Sequence, residues 1–426
     1  MNITMNRAEL LSAAQKAGAI ASEDAPLEPL KGALLETNAA ANTLTITATN
    51  MEVSLEQKLS CAIGAPAKAS FSFRGERKGK GTQQGIPEGC PLRSGLCPDD
   101  DALVVNAKLL AGMLELLPGD TVELKRTPGV PVLSLRGGEA GYDVSISERG
   151  CFPKVQIPFP EDTVKVSGVP SMTRRTTFAT VEDKEKPMLR CVKLMFTQEG
   201  LKGVGSNGGC VVTAKGDDKS TGSATFFLPA PSLEKLSALC ADQDEFQVGV
   251  NGGSMIFMRP GLMFSARMME GDYLDTERVM ANIQNQFTVL SDVAELRRAL
   301  KTVDAVDPKG RVKLAFQGEQ LIFFCKGELG AASESLDVVP LTGTPQGEYW
   351  YLVPGLRAGL KALSGTATLG IAQAGMLDLS TEHAYYMQTA VRPPAAAPVE
   401  AKRPAKVRKS ASKAKQPKET AATKAA

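Results

Sequence analysis

One design occurs three times in this chain, and an internal repeat constrains a fold more than any single motif does. Residues 103–118 read LVVNAKLLAGMLELLP, residues 226–241 read FFLPAPSLEKLSALCA and residues 350–365 read WYLVPGLRAGLKALSG. Each is an apolar pair or triplet, a short break, then leucines at helical spacing, which predicts a strand running into a helix. A related strand and helix opens each unit: ITMNRAELLSAAQKAGAI from Ile3, VKVSGVPSMTRRTTFATV from Val164 and QFTVLSDVAELRRALKTV from Gln286. After each opening come two apolar strands around a polar turn, in GALLETNAAANTLTITAT, VKLMFTQEGLKGVGS and VKLAFQGEQLIFFC. Each unit closes on a further hairpin, beginning at Asp120, Asp244 and Gly365. The alternation of apolar and polar residues in these segments is that of half-buried antiparallel strands.

Spacing supports true repetition. Asn106, Pro229 and Pro354 are read as one position, 123 and 125 residues apart, while Leu10, Met172 and Leu296 lie 162 and 124 apart. The first unit therefore carries an extra segment, visible in FRGERKGKGTQQGIPEGCPLRSGLCPDDD at 73–101, whose Gly, Pro and charge predict a loop. The expected architecture is α+β: three repeated domains, each of two βα-plus-hairpin half-units. Their bounds are 1–160 (loop insertion at about 65–101), 161–276 and 277–393, followed by a tail at 394–426.

Charge divides unevenly along the chain. The last 33 residues hold nine Lys or Arg (among them Lys402, Arg403 and Lys424) against Glu400 and Glu419. The body then has 49 − 9 = 40 basic and 47 − 2 = 45 acidic residues. The Ala, Pro, Lys and Ser bias of the tail cannot bury enough apolar surface to offset ordering entropy, which predicts a disordered basic arm able to reach DNA. No apolar run approaches the ~18 residues that span a bilayer, and MNITMNRAELLSAAQ is no leader, so a cytoplasmic protein without a membrane partner is expected. The eight cysteines form no CxxC pair and His383 is the one histidine. With no P-loop and no GxSxG either, no metal, cofactor or catalytic residue is expected.

In its order and spacing of elements the chain resembles the β subunit of bacterial DNA polymerase III, the β sliding clamp family. The likeness covers residues 1 to about 392 apart from the insertion. It rests on PLEPLKGALLE at 26–36, where the family has a T-L-P-I-L-x-N-x-L-L-like run, and on LKGVGSNGGCVVTA at 201–214, where it has L-x-x-V-A-T-D-G-H-R-L-A. EGDYLDTERVMA at 270–281 stands for G-x-F-P-D-Y-x-R-V, and YMQTAVRP at 386–393 for the ending Y-x-x-M-P-M-R-L. The resemblance implies a head-to-tail homodimer closing into a ring, helices inside and sheets outside. Such a ring encircles duplex DNA without regard to sequence and tethers the replicative polymerase, with no chemistry of its own. The alternatives are a clamp-fold scaffold without ring closure and a DNA-binding protein driven by its tail.

A ring around a polyanion needs its positive charge on the inner helices. The candidates there are Arg7, Lys16, Lys108, Arg174, Arg175, Lys235, Arg297, Arg298, Lys301, Arg357 and Lys361, in contact with phosphates. The resemblance further implies a pocket for short linear peptides of the polymerase and the clamp loader, between the second and third domains. The matching positions are Leu189, Ser206, Gly208, Val211, Arg278, Val279, Val353, Leu356, Met387, Thr389, Ala390, Val391 and Arg392. It also places Tyr142 and Val144 at the dimer edge. Departures from the family are Asp24, Ala25 and Pro26, where many clamps carry a DNA-contacting Arg, and Asn207, Gly209 and Cys210 in place of D-x-H-R. Thr389 and Ala390, for Met and Pro, predict a smaller and more polar pocket.

Overall fold

The computed structural model describes residues 1–22, 27–64, 101–127, 129–153, 156–157, 159–183, 185–198, 200–216, 223–328 and 330–394. The expected insertion, the expected tail and the positions 24–26 lie outside these residues, save for Asp101 and Pro394 at their borders. Met1–Val391 make one compact unit.

The first third of the chain begins with β1 (Asn2–Asn6) and α1 (Arg7–Ile20), then the meander β2 (Gly32–Asn38), β3 (Thr43–Thr49) and β4 (Val53–Ser60) and the short β5 (Ala62–Ile63). It continues through β6 (Ala102–Asn106), α2 (Ala107–Leu116), β7 (Thr121–Arg126), β8 (Val132–Gly137) and β9 (Ala140–Glu148). The same order returns as β10 (Thr163–Val166), α3 (Val169–Thr176), β11 (Cys191–Thr197), β12 (Gly200–Ser206) and β13 (Cys210–Lys215). Its second half is β14 (Ala224–Pro229), α4 (Ala230–Ala238), β15 (Phe246–Asn251), β16 (Ser254–Arg259) and β17 (Leu262–Arg267). A connector with the short α5 (Thr276–Ala281) leads to β18 (Asn285–Asp292), α6 (Val293–Asp304), β19 (Arg311–Gln317), β20 (Gln320–Gly327) and β21 (Gly330–Asp337). After β22 (Val339–Thr342) come β23 (Gln346–Leu352), α7 (Val353–Ala362), β24 (Thr366–Ala372), β25 (Leu377–Ser380) and β26 (Ala384–Gln388).

Local chemistry starts the helices. The side chain of Asn6 accepts from the Glu9 N–H (3.1 Å), Asn106 from Leu109 (3.0 Å) and Asp292 from Ala294 (2.7 Å), each satisfying an orphan donor of a first turn. Helices α4 and α7 instead carry prolines in the first turn, Pro231 and Pro354, where the missing N–H costs nothing. The caps of the second helices are Asn106, Pro229 and Leu352, spaced 123 and 123 residues. Pro354 therefore matches Pro231, and the sequence alignment is corrected by two residues. Each opening helix buries the aligned residue, Leu10, Met172 or Leu296, at 3 % exposure or less.

A second difference concerns the meanders. Where the sequence shows two strands after each opening helix, the structure has three, and the added strands β4 and β13 join the repeats. The 13-stranded sheet runs β10-β15-β16-β17-β4-β3-β2-β6-β9-β8-β7-β1-β5, and the 9-stranded sheet runs β14-β11-β12-β13-β26-β25-β24-β18-β22. The remaining sheet is β21-β20-β19-β23. Strand β17 thus closes on β4, with Phe264 opposite Leu55, and β26 on β13, with Tyr386 opposite Val212. Both aromatic side chains are completely buried. The helices pack in one row, α2-α1-α4-α3-α7-α6, in which α1 meets α4 and α3 meets α7 across the same two junctions.

Candidate nucleic-acid and partner interfaces

The eleven basic residues of the helices divide by what they touch. Arg7 donates from Nε to the Gly119 carbonyl (2.7 Å) and from Nη1 to that of Leu114 (2.9 Å), tying the start of α1 to the end of α2. Arg297 does the same for α6 and α7, through the carbonyls of Leu360 (2.8 Å) and Leu363. A guanidinium there satisfies carbonyls that a helix C-terminus leaves without partners. Arg357 pairs with the nearly buried Asp304 (2.7 Å), Arg298 with Glu295 (2.8 Å) and Glu334 (2.6 Å), and Arg174 with Asp242 (2.5 Å). Lys235 reaches across a junction to the Ile20 carbonyl at the end of α1 (3.3 Å). Burial lowers its pKa, as it does that of Lys16, where Arg259 adds repulsion. Lys108 packs against Gly18 of α1. The half-buried Arg175 and the exposed Lys301 and Lys361 remain, with no ion pair among the described residues. Of the sequence candidates, Arg7, Arg297 and Arg357 are thus engaged at helix ends, whereas Arg175, Lys301 and Lys361 are not.

Two edges are open. In the strand ladders, Leu135 faces Tyr142, Phe257 faces Phe264 and Leu379 faces Tyr386, so Tyr142 of β9 stands where the two junctions bury an aromatic ring. Tyr142 is only half-buried, and β6 covers β9 only from Ile146 onward. On the other side Ala332 of β21, opposite Cys325, stands where Leu55 faces Ala48 and Val212 faces Gly205. Among the described residues strand β21 has β20 as its single neighbour. The helix row ends at the same places, α2 and α6. On α2, Leu109 is 47 % and Leu116 72 % exposed, whereas their counterparts Ser232, Leu239 and Ala362 are each 3 % exposed. Val144 is 2 % exposed and already packs in the core of its own third, so its expected place at an interface is corrected: a charge there would disrupt that core itself.

The residues expected to form a peptide pocket fall into three groups. Val211 and Met387, paired across the β13–β26 junction, form a small apolar cluster with Met195 and Val204 on one face of the sheet. Val279 of α5, Tyr273 and Ile283 of the connector, and Met376 pack against it. At the end of the junction Thr389 and Val391 line a groove of about 350 Å³ together with Phe178, Cys210, Leu352 and Gln388. Thr389 is fixed there by its N–H and hydroxyl, both donating to the Gly209 carbonyl (3.0 and 3.1 Å). The third group does not belong to a wall. Val353 and Leu356 are 0 % and 2 % exposed in the main core, and the correction is Leu352, 45 % exposed, one residue earlier. Leu352 ends β23 in extended conformation, where successive side chains point to opposite faces, so a one-residue slip moves the position from groove to core. Ser206 is fully buried and donates to the Cys210 carbonyl (3.2 Å), while Gly208 takes φ +83°, the left-handed turn its neighbours require. Leu189 is half-buried, Arg392 and Arg278 are exposed, the latter on α5, and Ala390 packs by Gly375.

Sequence reading missed Asp378, whose alternating strand gives no hint of its surroundings. It lies on β25 directly beside Met387. Burial raises its pKa, and the amide of Asn285 donates to its Oδ2 (2.8 Å). Its Oδ1 and the Asn285 Oδ1 are buried, and the Tyr385 hydroxyl faces the same carboxylate. For a carboxyl whose folded pKa is raised, the unfolded chain ionises first as pH climbs. Stability is then full below the ordinary carboxylate pKa near 3.9 and declines through the window up to the folded pKa. Asp378→Asn is therefore expected to stabilise the chain at pH 7, on the order of 1 kcal/mol, the common cost of one unsatisfied buried polar group. Thermal unfolding at pH 7 and pH 3 checks this; the gain should vanish at the lower pH.

Among the described residues no group of three His, Cys, Asp or Glu could hold a metal ion, and no helix is long and apolar enough to cross a membrane.

Repeated meanders joined edge to edge, with paired helices on one face, define the sliding-clamp fold. No protein-family model matches the chain. It is 22 % identical over 272 residues to the beta sliding clamp of Streptococcus pneumoniae, covering 60 % of this chain and 71 % of that one. It superposes on the DNA polymerase III beta chain of Streptococcus pneumoniae (TM-score 0.75, 18 % identity) and on the DNA polymerase sliding clamp of Bacillus subtilis (TM-score 0.75, 16 % identity). In both cases 92 % of this chain and all of the other is covered. The chain is a divergent relative of the β sliding clamps, the β subunits of DNA polymerase III.

Proposed function

We propose that two copies of this chain close head to tail into a ring that encircles duplex DNA and tethers a replicative polymerase. The domains are those bounded in the sequence. The observation that carries this is the pair of internal junctions, β4–β17 and β13–β26, matched by two unpaired stretches at the equivalent places: strand β21, and the half of β9 around Tyr142 that β6 does not reach. A third junction of the same kind needs a second chain, and two such junctions close a two-fold assembly. The helix row then continues from α6 to the α2 of the other copy, with Leu109 and Leu116 covered. Polymerase and clamp loader would dock short peptides at the Met387 cluster and the Leu352–Thr389 groove, and nothing in the site calls for catalysis.

The inner helices supply the phosphate contacts in this reading, and Arg175, Lys301 and Lys361 are the positions assigned to them. Each lost contact should lower the slope of log affinity against log salt by about 0.9, so Arg175→Ala/Lys301→Ala/Lys361→Ala should flatten it by roughly two to three units. Fluorescence anisotropy on a linear duplex at several salt concentrations measures this. An unchanged slope would move the DNA contacts elsewhere, with the basic residues from 394 onward the next place to look. Retention of loaded protein on nicked circular DNA tests encirclement directly, since a topological link survives salt that dissolves charge contacts. A clamp-fold scaffold without ring closure would be released.

A further inference from the structure

The outer face of the β13–β26 junction carries more than apolar anchors. Across it the strands set Gly370, Asp378, Met387 and Val211 side by side in register. Gly370 has no side chain, and a Cβ there would collide with the amide of Asn285, which crosses that space to reach Asp378. Tyr385 stands two residues before Met387 on the same face, and its hydroxyl faces the Asp378 carboxylate. Asp378, Asn285 and Tyr385 thus form one polar group beside the apolar cluster. No Lys or Arg among the described residues makes an ion pair with Asp378, so the carboxylate has no counter-charge of its own.

A carboxylate beside an apolar docking face and without a counter-charge favours a ligand that brings a positive charge to it. The oxygens of Asp378 and Asn285 are acceptors only, and Tyr385 can accept as well as donate. Their complement is a group with several N–H donors and a positive charge. We propose that Asp378, Asn285 and Tyr385 form a polar subsite beside Met387 that receives a lysine or arginine side chain of the docked partner segment. This rests on the reading of the Met387 cluster as a partner site. A segment lying over Met387 removes water from Asp378, so a neutral or acidic residue at that place leaves the carboxylate uncompensated, and the subsite discriminates among partners.

The test uses the full chain and a fluorescein-labelled panel of twelve-residue synthetic peptides. Each bears Leu and Phe as anchors, with one position at a time set to Lys, Gln or Glu, and binding is read by fluorescence polarisation at pH 7.5. The wild-type chain should favour Lys over Glu by tenfold or more at one position of the panel. Asp378→Asn should erase that preference while binding the Gln peptide as before, and Asp378→Lys should reverse it. Binding without charge preference, or a preference that Asp378→Asn leaves intact, overturns the subsite while the pocket stands. If no peptide of the panel binds the wild-type chain, the pocket and the subsite both fall.

Discussion

Leu109→Glu is expected to turn a particle of twice the chain mass into monomers at micromolar concentration, with the thermal unfolding of each chain unchanged. Leu109 is on α2 with 47 % of its surface exposed. Covering the exposed half of a leucine is worth about 1 kcal/mol, and glutamate forfeits that and adds the desolvation of a carboxylate, roughly 1–3 kcal/mol. A head-to-tail dimer contains the contact twice, so the loss counts double and dissociation should rise by roughly a hundredfold or more. Tyr142→Ala should act the same way more weakly, because the ring it removes is already half-covered by its own chain. Multi-angle light scattering decides the matter. Wild-type protein that runs as a monomer at micromolar concentration would sink the ring and leave a scaffold as the better reading.

The second large effect concerns partners. Val279→Asp and Leu352→Asp should each weaken binding of the cognate polymerase ten- to a hundredfold, since a bound peptide would strip water from the new carboxylate at a cost of roughly 1–3 kcal/mol. Neither should change the dimer or the unfolding temperature, because Leu352 is 45 % exposed and Val279 lies half-buried on the short α5. Surface plasmon resonance with immobilised polymerase reads the effect. Full binding by both variants would place the partner site elsewhere. Leu356→Asp is unsuited to the question, for at 2 % exposure it would place a charge in the main core.

Periodicity and capping chemistry are local, so the sequence alone determined the α+β class, the six paired helices and the threefold order of elements. Leu10, Met172 and Leu296 could be aligned from spacing, and all three are buried. Where chemistry gave way to geometry the reading slipped: two prolines near one helix start, Pro229 and Pro231, allowed Pro354 to be matched to the wrong one, and the pocket wall moved from Leu352 to Val353. Strand β21, with Ala331, Ala332 and Ser333, has too little apolar alternation to be seen, which fits an edge that its own chain leaves uncovered. The eleven basic residues show the same limit. An arginine reads as a positive charge in any sequence, but whether it meets solvent or caps a helix end, as Arg7 and Arg297 do, depends on carbonyls more than sixty residues away. Asp378 could not be singled out at all, because its character comes from Asn285, Tyr385 and the bare Gly370, which only the sheet brings together. Sequence fixes what each residue can do locally; burial and partnership are set by distant segments, and those the tertiary structure alone decided.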